Sequence, residues 1–246
     1  MDGLHIALLA ALGLAAGIAS SLFGIGGGLV MVPALHYGLG YAWGHATAIS
    51  LTAIAVQSPT GVLGHARRKA VDWRLAVPLA IGGLGGVLVG GWLEPRIGVP
   101  WLKLVFAVLM MLGAWRMVSK PPQPHAHGRH PAVLLALGVG AGIVSQLLGI
   151  GGGLLTVPVL TLLGVPVHVA VGTSLVPVFT NAALATGIHL AHHVALAAGL
   201  VLGAGSLLGV PLGVRLAHAL PEQRLRRVFA VALVVAALAV AVTSFR

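Results

Sequence analysis

Two long stretches of this sequence, Gly3 to Ala66 and His130 to Val214, contain no Asp, Glu, Lys or Arg. A helix that spans a bilayer needs about 20 apolar residues, so each stretch has room for several. Nothing else in the chain constrains its fold as strongly. Across 246 residues only 7% are charged and 58% are hydrophobic, whereas a soluble domain is about a quarter charged. Such a chain cannot cover a water-facing surface, and it reads as an all-α, polytopic membrane protein in contact with the lipid bilayer. The net charge of +10 invites a nucleic-acid reading, but the basic residues are too few and too scattered to track phosphates. With no Cys in the chain there is no disulfide framework, thiolate metal site or thiol nucleophile. Met1-Asp2-Gly3 has no basic n-region and reads as the start of the first membrane helix, not as a removed signal.

The chain is written twice. Gly17 to Pro33 recurs 125 residues later as Gly142 to Pro158, with 12 of 17 positions identical. The correspondence continues with small shifts. Ala46, Ser50 and Leu51 match Ala170, Ser174 and Leu175, and His65 matches His189. Gly82, Gly86 and Gly90 match Gly205, Gly209 and Gly213, and Val105 to Val108 matches Val228 to Val231. The seam is Ser119 to Pro131, with four Pro and three His, a polar linker poor in helix formers. The expected organisation is a first transmembrane repeat over 1–118, a linker over 119–131 and a second repeat over 132–246.

Each half shows five apolar segments, roughly 4–22, 28–39, 44–65, 75–93 and 101–118, then 132–148, 153–164, 167–191, 195–214 and 228–245. The second of each set is too short to cross at 1.5 Å per residue and reads as a half-helix or re-entrant piece. Charge placement sets orientation. The loop at Arg67, Arg68, Lys69 and Arg74 is basic, and its counterpart at His192-His193 has no Lys or Arg. One loop later the asymmetry reverses: Glu94 and Arg96 in the first half face Arg215, Glu222, Arg224, Arg226 and Arg227 in the second. If basic loops are cytoplasmic, equivalent loops lie on opposite sides. That is an inverted-topology repeat with an odd number of crossings per half, a cytoplasmic linker and periplasmic termini; five or three crossings both satisfy it.

The paired breaks are the candidate site. Gly24, Ile25, Gly26, Gly27 and Gly28 interrupt an apolar helix, as do Gly149, Ile150, Gly151, Gly152 and Gly153. A run of Gly ends one helix and begins another. At membrane depth unwound backbone survives only where protein buries it or a wet cavity meets it. A half-helix beginning at Gly28 or Gly153 presents unpaired N–H groups that favour an anion, and two facing each other would form an anion site near the midplane. A nucleotide-phosphate loop does not fit, because no Lys-Ser/Thr follows. Glycine used only for helix packing is the rival; it suits Gly82, Gly86, Gly90 and Gly205, Gly209, Gly213, spaced by four, better than a clustered, duplicated run. Polar residues within the spans fall at equivalent places: Ser20 with Ser145, Ser50 with Ser174, Gln57 with Asn181. Hydroxyls and amides beside helix N-termini suit an oxyanion.

The only carboxylates, Asp2, Asp72, Glu94 and Glu222, sit at predicted ends or loops, which argues against a carboxylate proton relay and against a carboxylate cation site. His45, His65, His168 and His189 are the titratable groups nearest the spans; His189, His192 and His193 have helical spacing compatible with a metal, without a supporting carboxylate or Cys. No cofactor or resident metal is expected.

The duplicated Gly-Ile-Gly-Gly-Gly-Leu followed by Pro33 or Pro158, with Ala-x-x-Thr-Ser-Leu at Ala170 to Leu175, resembles the TauE/SafE sulfite exporter family over nearly the whole chain. In the first half Ile49 stands where the motif usually has Thr. The resemblance implies bacterial inner-membrane transport of sulfite, thiosulfate, a sulfonate or a related sulfur anion. The expected function is therefore a non-enzymatic secondary transporter working by alternating access, as a monomer or a homodimer. Its site is expected at Ser20, Gly24, Gly26, Gly27, Gly28, Ser50 and Gln57 together with Ser145, Gly149, Gly151, Gly152, Gly153, Ser174 and Asn181. The alternatives are carriage of another small anion, or of a cation or divalent metal through the His residues.

Overall fold

A computed structural model describes residues 3–118, 130–190 and 196–244. The described residues are helical, in the order α1 Gly3–Phe23, α2 Gly28–Pro33, α3 Trp43–Arg67, α4 Trp73–Leu93, α5 Val99–Val118, α6 Pro131–Leu148, α7 Gly153–Leu162, α8 Val167–Leu190, α9 Leu196–Ala219 and α10 Glu222–Ser244. A π-helical turn, Ala34–Gly38, prolongs α2, and a 3-10 turn, Glu94–Arg96, prolongs α4. Among the described residues six helices are long and apolar enough to cross a membrane: α1, α3, α4 with its 3-10 turn, α6, α8 and α9. The chain is a multi-pass membrane protein. Trp73, Trp92, Leu63, Leu208 and Val231 lie outside on it, each more than half exposed; only a lipid surround makes so apolar an exterior stable.

Local chemistry sets the ends. The Asp72 carboxylate accepts from Arg74 N at 3.0 Å and caps α4. Pro131 opens α6, where its missing N–H costs nothing. The sequence reading differs from the structure at the last connection. It puts Arg215, Glu222, Arg224, Arg226 and Arg227 in a loop, whereas Arg215 lies within α9 and the other four lie in the first turns of α10. Only Leu220 and Pro221 intervene, and Leu225 N already donates to Pro221 O at 3.0 Å. An acid at a helix start complements the dipole, so Glu222 begins the helix. Most of the linker and the His192-His193 pair, on which a metal reading depended, lie outside the described residues.

The four-spaced glycines knit the bundle together. Gly205, Gly209 and Gly213 of α9 sit on the carbonyls of Ala10, Leu14 and Ile18 of α1, where a Cβ would overlap each oxygen. Gly82 and Gly86 of α4 sit likewise on Leu135 and Val139 of α6, and a Cβ at Gly90 would come within 3.1 Å of Ile143 O. Contacts this close suit a membrane, where packing and Cα–H···O contacts replace the hydrophobic effect between helices. Each of these pairs therefore joins a helix of one half to a helix of the other, side by side and running the same way.

Three further contacts set direction. His5 Nε2 and Tyr41 OH are 2.8 Å apart, so α1 starts beside the entry to α3. His65 Nε2 and Ser21 O are 2.9 Å apart, so α1 ends beside the end of α3. The two helices run the same way, and α2 with its π-turn returns the chain between them. Gly172, near the start of α8, packs on Ala70 and His65, beyond and at the end of α3. Therefore α3 and α8 cross antiparallel.

Candidate functional site

Both glycine runs break the helix, and backbone geometry explains why they are glycine. Gly24 and Gly149 have φ of 71° each, and Gly27 and Gly152 have φ of 86° and 84°. Side-chain-bearing residues rarely adopt this left-handed region. In both halves the break runs from the end of the long helix to the start of a short one, α2 or α7, whose N-cap glycine supplies no side-chain cap.

The two breaks meet back to back. A Cβ at Gly28 would overlap Gly149 O, and one at Gly153 would overlap Gly24 O. Gly26 and Gly151 both face the same pair, Ile54 of α3 and Val178 of α8. Ile54 and Val178 are separated by the offset that relates Ser50 to Ser174, so repeat-equivalent residues face the same two glycines, as they would at a local two-fold axis. Two hydroxyls staple the halves reciprocally. Ser50 Oγ donates to Gly149 O and Ser174 Oγ to Gly24 O, both at 2.7 Å. Thr47 packs against Gly149, whereas Ile49 is wholly buried.

All fourteen residues singled out from the sequence gather at this junction or just beneath it. They do not share one condition. Ser50 and Ser174 spend their protons on backbone carbonyls. Gln57 Nε2 donates to Gly26 O at 2.6 Å, leaving Oε1 without a partner. Ser20 Oγ and Ser145 Oγ are buried without a hydrogen-bond partner among the described residues. Asn181 is wholly buried and neither amide atom has a partner there. It lies between α4 and the start of α7: a Cβ at Gly83 would overlap its Oδ1, and one at Gly152 would stand 3.2 Å from its Nδ2. Buried polar groups are normally satisfied, and leaving one unmet costs about 1–3 kcal/mol. Other unpartnered atoms occur at Ser21, Ser58, Gln146 and Thr186; those of Ser20, Ser145, Gln57 and Asn181 stand beside the breaks, where a polar partner is expected.

Two histidine arrangements flank the junction, one for each half. His65 bonds Ser21 O, and His218 Nε2 lies 3.1 Å from His65 Nδ1, with the His168 ring 5.9 Å from that of His218. In the second half Gln146 Nε2 lies 3.2 Å from His189 Nε2 and donates to Glu94 Oε2 at 2.8 Å. His65 and His189 were visible as a repeat pair. His218 and Glu94 were not: they stand 124 residues apart, the same offset, at the end of α9 and in the turn after α4, but one is an imidazole and the other a carboxylate, so identity between the halves does not reveal them.

The family model described as sulfite exporter TauE/SafE matches residues 9–240. The chain belongs to the TauE/SafE family. Among its relatives is a probable membrane transporter protein of Methanocaldococcus jannaschii, 30% identical over 183 residues that cover 70% of this chain and 67% of the relative. A probable membrane transporter protein of Xylella fastidiosa is 33% identical over 72% of this chain and 70% of its own length. The probable membrane transporter protein YunE of Bacillus subtilis is 27% identical over 84% of this chain and 86% of its own. No solved structure matches. TauE/SafE membership makes the protein a membrane transporter, and the paired breaks are the place in it where backbone and side-chain polarity converge.

Proposed function

We propose that the protein carries a small sulfur-containing anion (sulfite, thiosulfate or an organosulfonate) across the bacterial inner membrane by alternating access, binding it where the two glycine breaks meet. The observation that carries this reading is Asn181, buried with both amide atoms unpartnered beside the uncapped start of α7. The orphan hydroxyls of Ser20 and Ser145 and the free Oε1 of Gln57 add to it. Amide and hydroxyl donors beside helix N-termini are matched to an oxyanion. Charge supports the same sign of cargo: Asp72 caps α4, Glu94 is engaged by Gln146 and Glu222 opens α10, all at helix ends. The antiparallel crossing of α3 and α8 supports an inverted arrangement of the repeats, and the basic residues at Arg67 to Arg74 and at Arg215 to Arg227 favour a cytoplasmic linker and periplasmic termini. Flux into proteoliposomes of sulfite, thiosulfate and short sulfonates tests the reading. Saturable uptake of at least one, abolished by Gly152→Leu and Gly27→Leu, is the expected outcome. No saturable flux of any of them, or flux indifferent to both substitutions, overturns it.

A further inference from the structure

The junction does not account for a second concentration of charge. Thr60, Leu63 and Arg67 lie on one face of α3, and Leu208, Pro211 and Arg215 follow the same spacing on α9. Between these faces runs a groove of about 380 Å³, with Arg68 closing its end. Its floor is Gly64 packed against Val214, where the missing side chain keeps the trough open. All three guanidinium-bearing residues are exposed, and among the described residues none makes an ion pair. Lys69 and Arg74 lie one turn beyond, Asp72 turns its carboxylate to Arg74 N, and His218 lies on α9 beside Arg215. The groove is thus cationic at the helix ends and apolar along its length, where Leu63, Pro211 and Val214 line it and Leu63 is 58% exposed.

We propose that this groove holds an anionic phospholipid, with its phosphate between Arg67, Arg68 and Arg215 and an acyl chain along Leu63 and Pro211. Guanidinium forks match phosphate oxygens, and basic pockets between membrane helices near the bilayer surface take such headgroups. A free anion would use the cations but leave the apolar trough empty. A zwitterionic lipid would fill the trough but bring its own ammonium to three guanidinium groups. The cationic set is not repeated in the sequence of the other half, where Ala191 and His192 stand at the positions of Arg67 and Arg68. The residue equivalent to Arg215 is Trp92, over which the Arg96 guanidinium stacks at 3.9 Å, and Glu94 lies nearby. The site therefore marks one membrane face only.

The test uses the full chain purified in a neutral detergent. Phosphatidylglycerol, phosphatidylcholine and inorganic phosphate are each titrated against the thermal unfolding midpoint, for the wild type, for the triple variant Arg67→Gln, Arg68→Gln, Arg215→Gln, and for Arg224→Gln as a charge control elsewhere. Phosphatidylglycerol should raise the wild-type midpoint by several degrees more than phosphatidylcholine. The triple variant should lose that difference and Arg224→Gln keep it, with each groove arginine costing roughly fivefold in lipid affinity. Should the triple variant not fold, native mass spectrometry of the wild type decides: retention of phosphatidylglycerol over phosphatidylcholine after delipidation is expected. Equal response to the two lipids, an undiminished response in the triple variant, or a full response to inorganic phosphate alone would each overturn the proposal.

Discussion

Gln57 and Asn181 occupy equivalent places in the two repeats and lead opposite lives. The longer amide reaches across its own break and ties Gly26 O at 2.6 Å. The shorter one, one methylene less, leaves both of its polar atoms without a partner. Around them the backbone is nearly the same: matched left-handed glycines, matched hydroxyl staples, matched close approaches of Gly28 to Gly149 and Gly153 to Gly24. Symmetry therefore belongs to the frame and asymmetry to the polar side chains. One amide is spent on the backbone of its own break, and the other is left unengaged.

The frame can be broken most severely at the close approaches. Gly28→Val and Gly153→Val each drive a side chain into a carbonyl of the opposite break, and each should cost about 3 kcal/mol or more. Size-exclusion profiles of the detergent-extracted variants should show loss of monodisperse protein for both; tolerance of either would mean the two breaks are not equivalent. The amides should then separate. Gln57→Ala removes a bond and strands Gly26 O, so its midpoint should fall by the equivalent of about 1–3 kcal/mol. Asn181→Ala removes an already unsatisfied group and should leave stability unchanged or higher, while sulfur-anion flux drops by tenfold or more. Thermal melts beside proteoliposome flux on the same preparations check both halves of that contrast. A smaller, symmetric effect is expected at the staples: Ser50→Ala and Ser174→Ala should each lose about 1 kcal/mol, equal within error. A clear difference between them in a melting experiment would show that one break bears more of the load. Smallest is Glu94→Gln, which keeps a hydrogen-bond acceptor for Gln146 and should shift the midpoint by no more than about 1 kcal/mol.

Much of this was legible in the sequence because the chain states it twice. The duplicated Gly-rich run located both breaks, and spacing by four identified Gly82, Gly86 and Gly90 and their partners as packing residues. Partnership was not legible. That Ser50 bonds Gly149 and Ser174 bonds Gly24 depends on α3 and α8 crossing antiparallel, which no local pattern states. The engaged state of Gln57 and the orphaned state of Asn181 depend on the reach of one methylene measured against a backbone that no sequence pattern specifies. The last connection was misjudged for a different reason: charge normally marks loops in an apolar chain, but Arg224, Arg226 and Arg227 ride on a helix that begins immediately after Pro221.

The glycine seams have one more consequence. Because α1 lies locked against α9 and α4 against α6, each tightly sutured block borrows one helix from each repeat. Genetic halves and mechanical halves are thus different partitions of the same molecule. Severing the chain at the linker would release no working module, only two fragments with their glycine seams laid bare. Any rocking that carries cargo would have to run between blocks that the order of the genes' codons does not delimit.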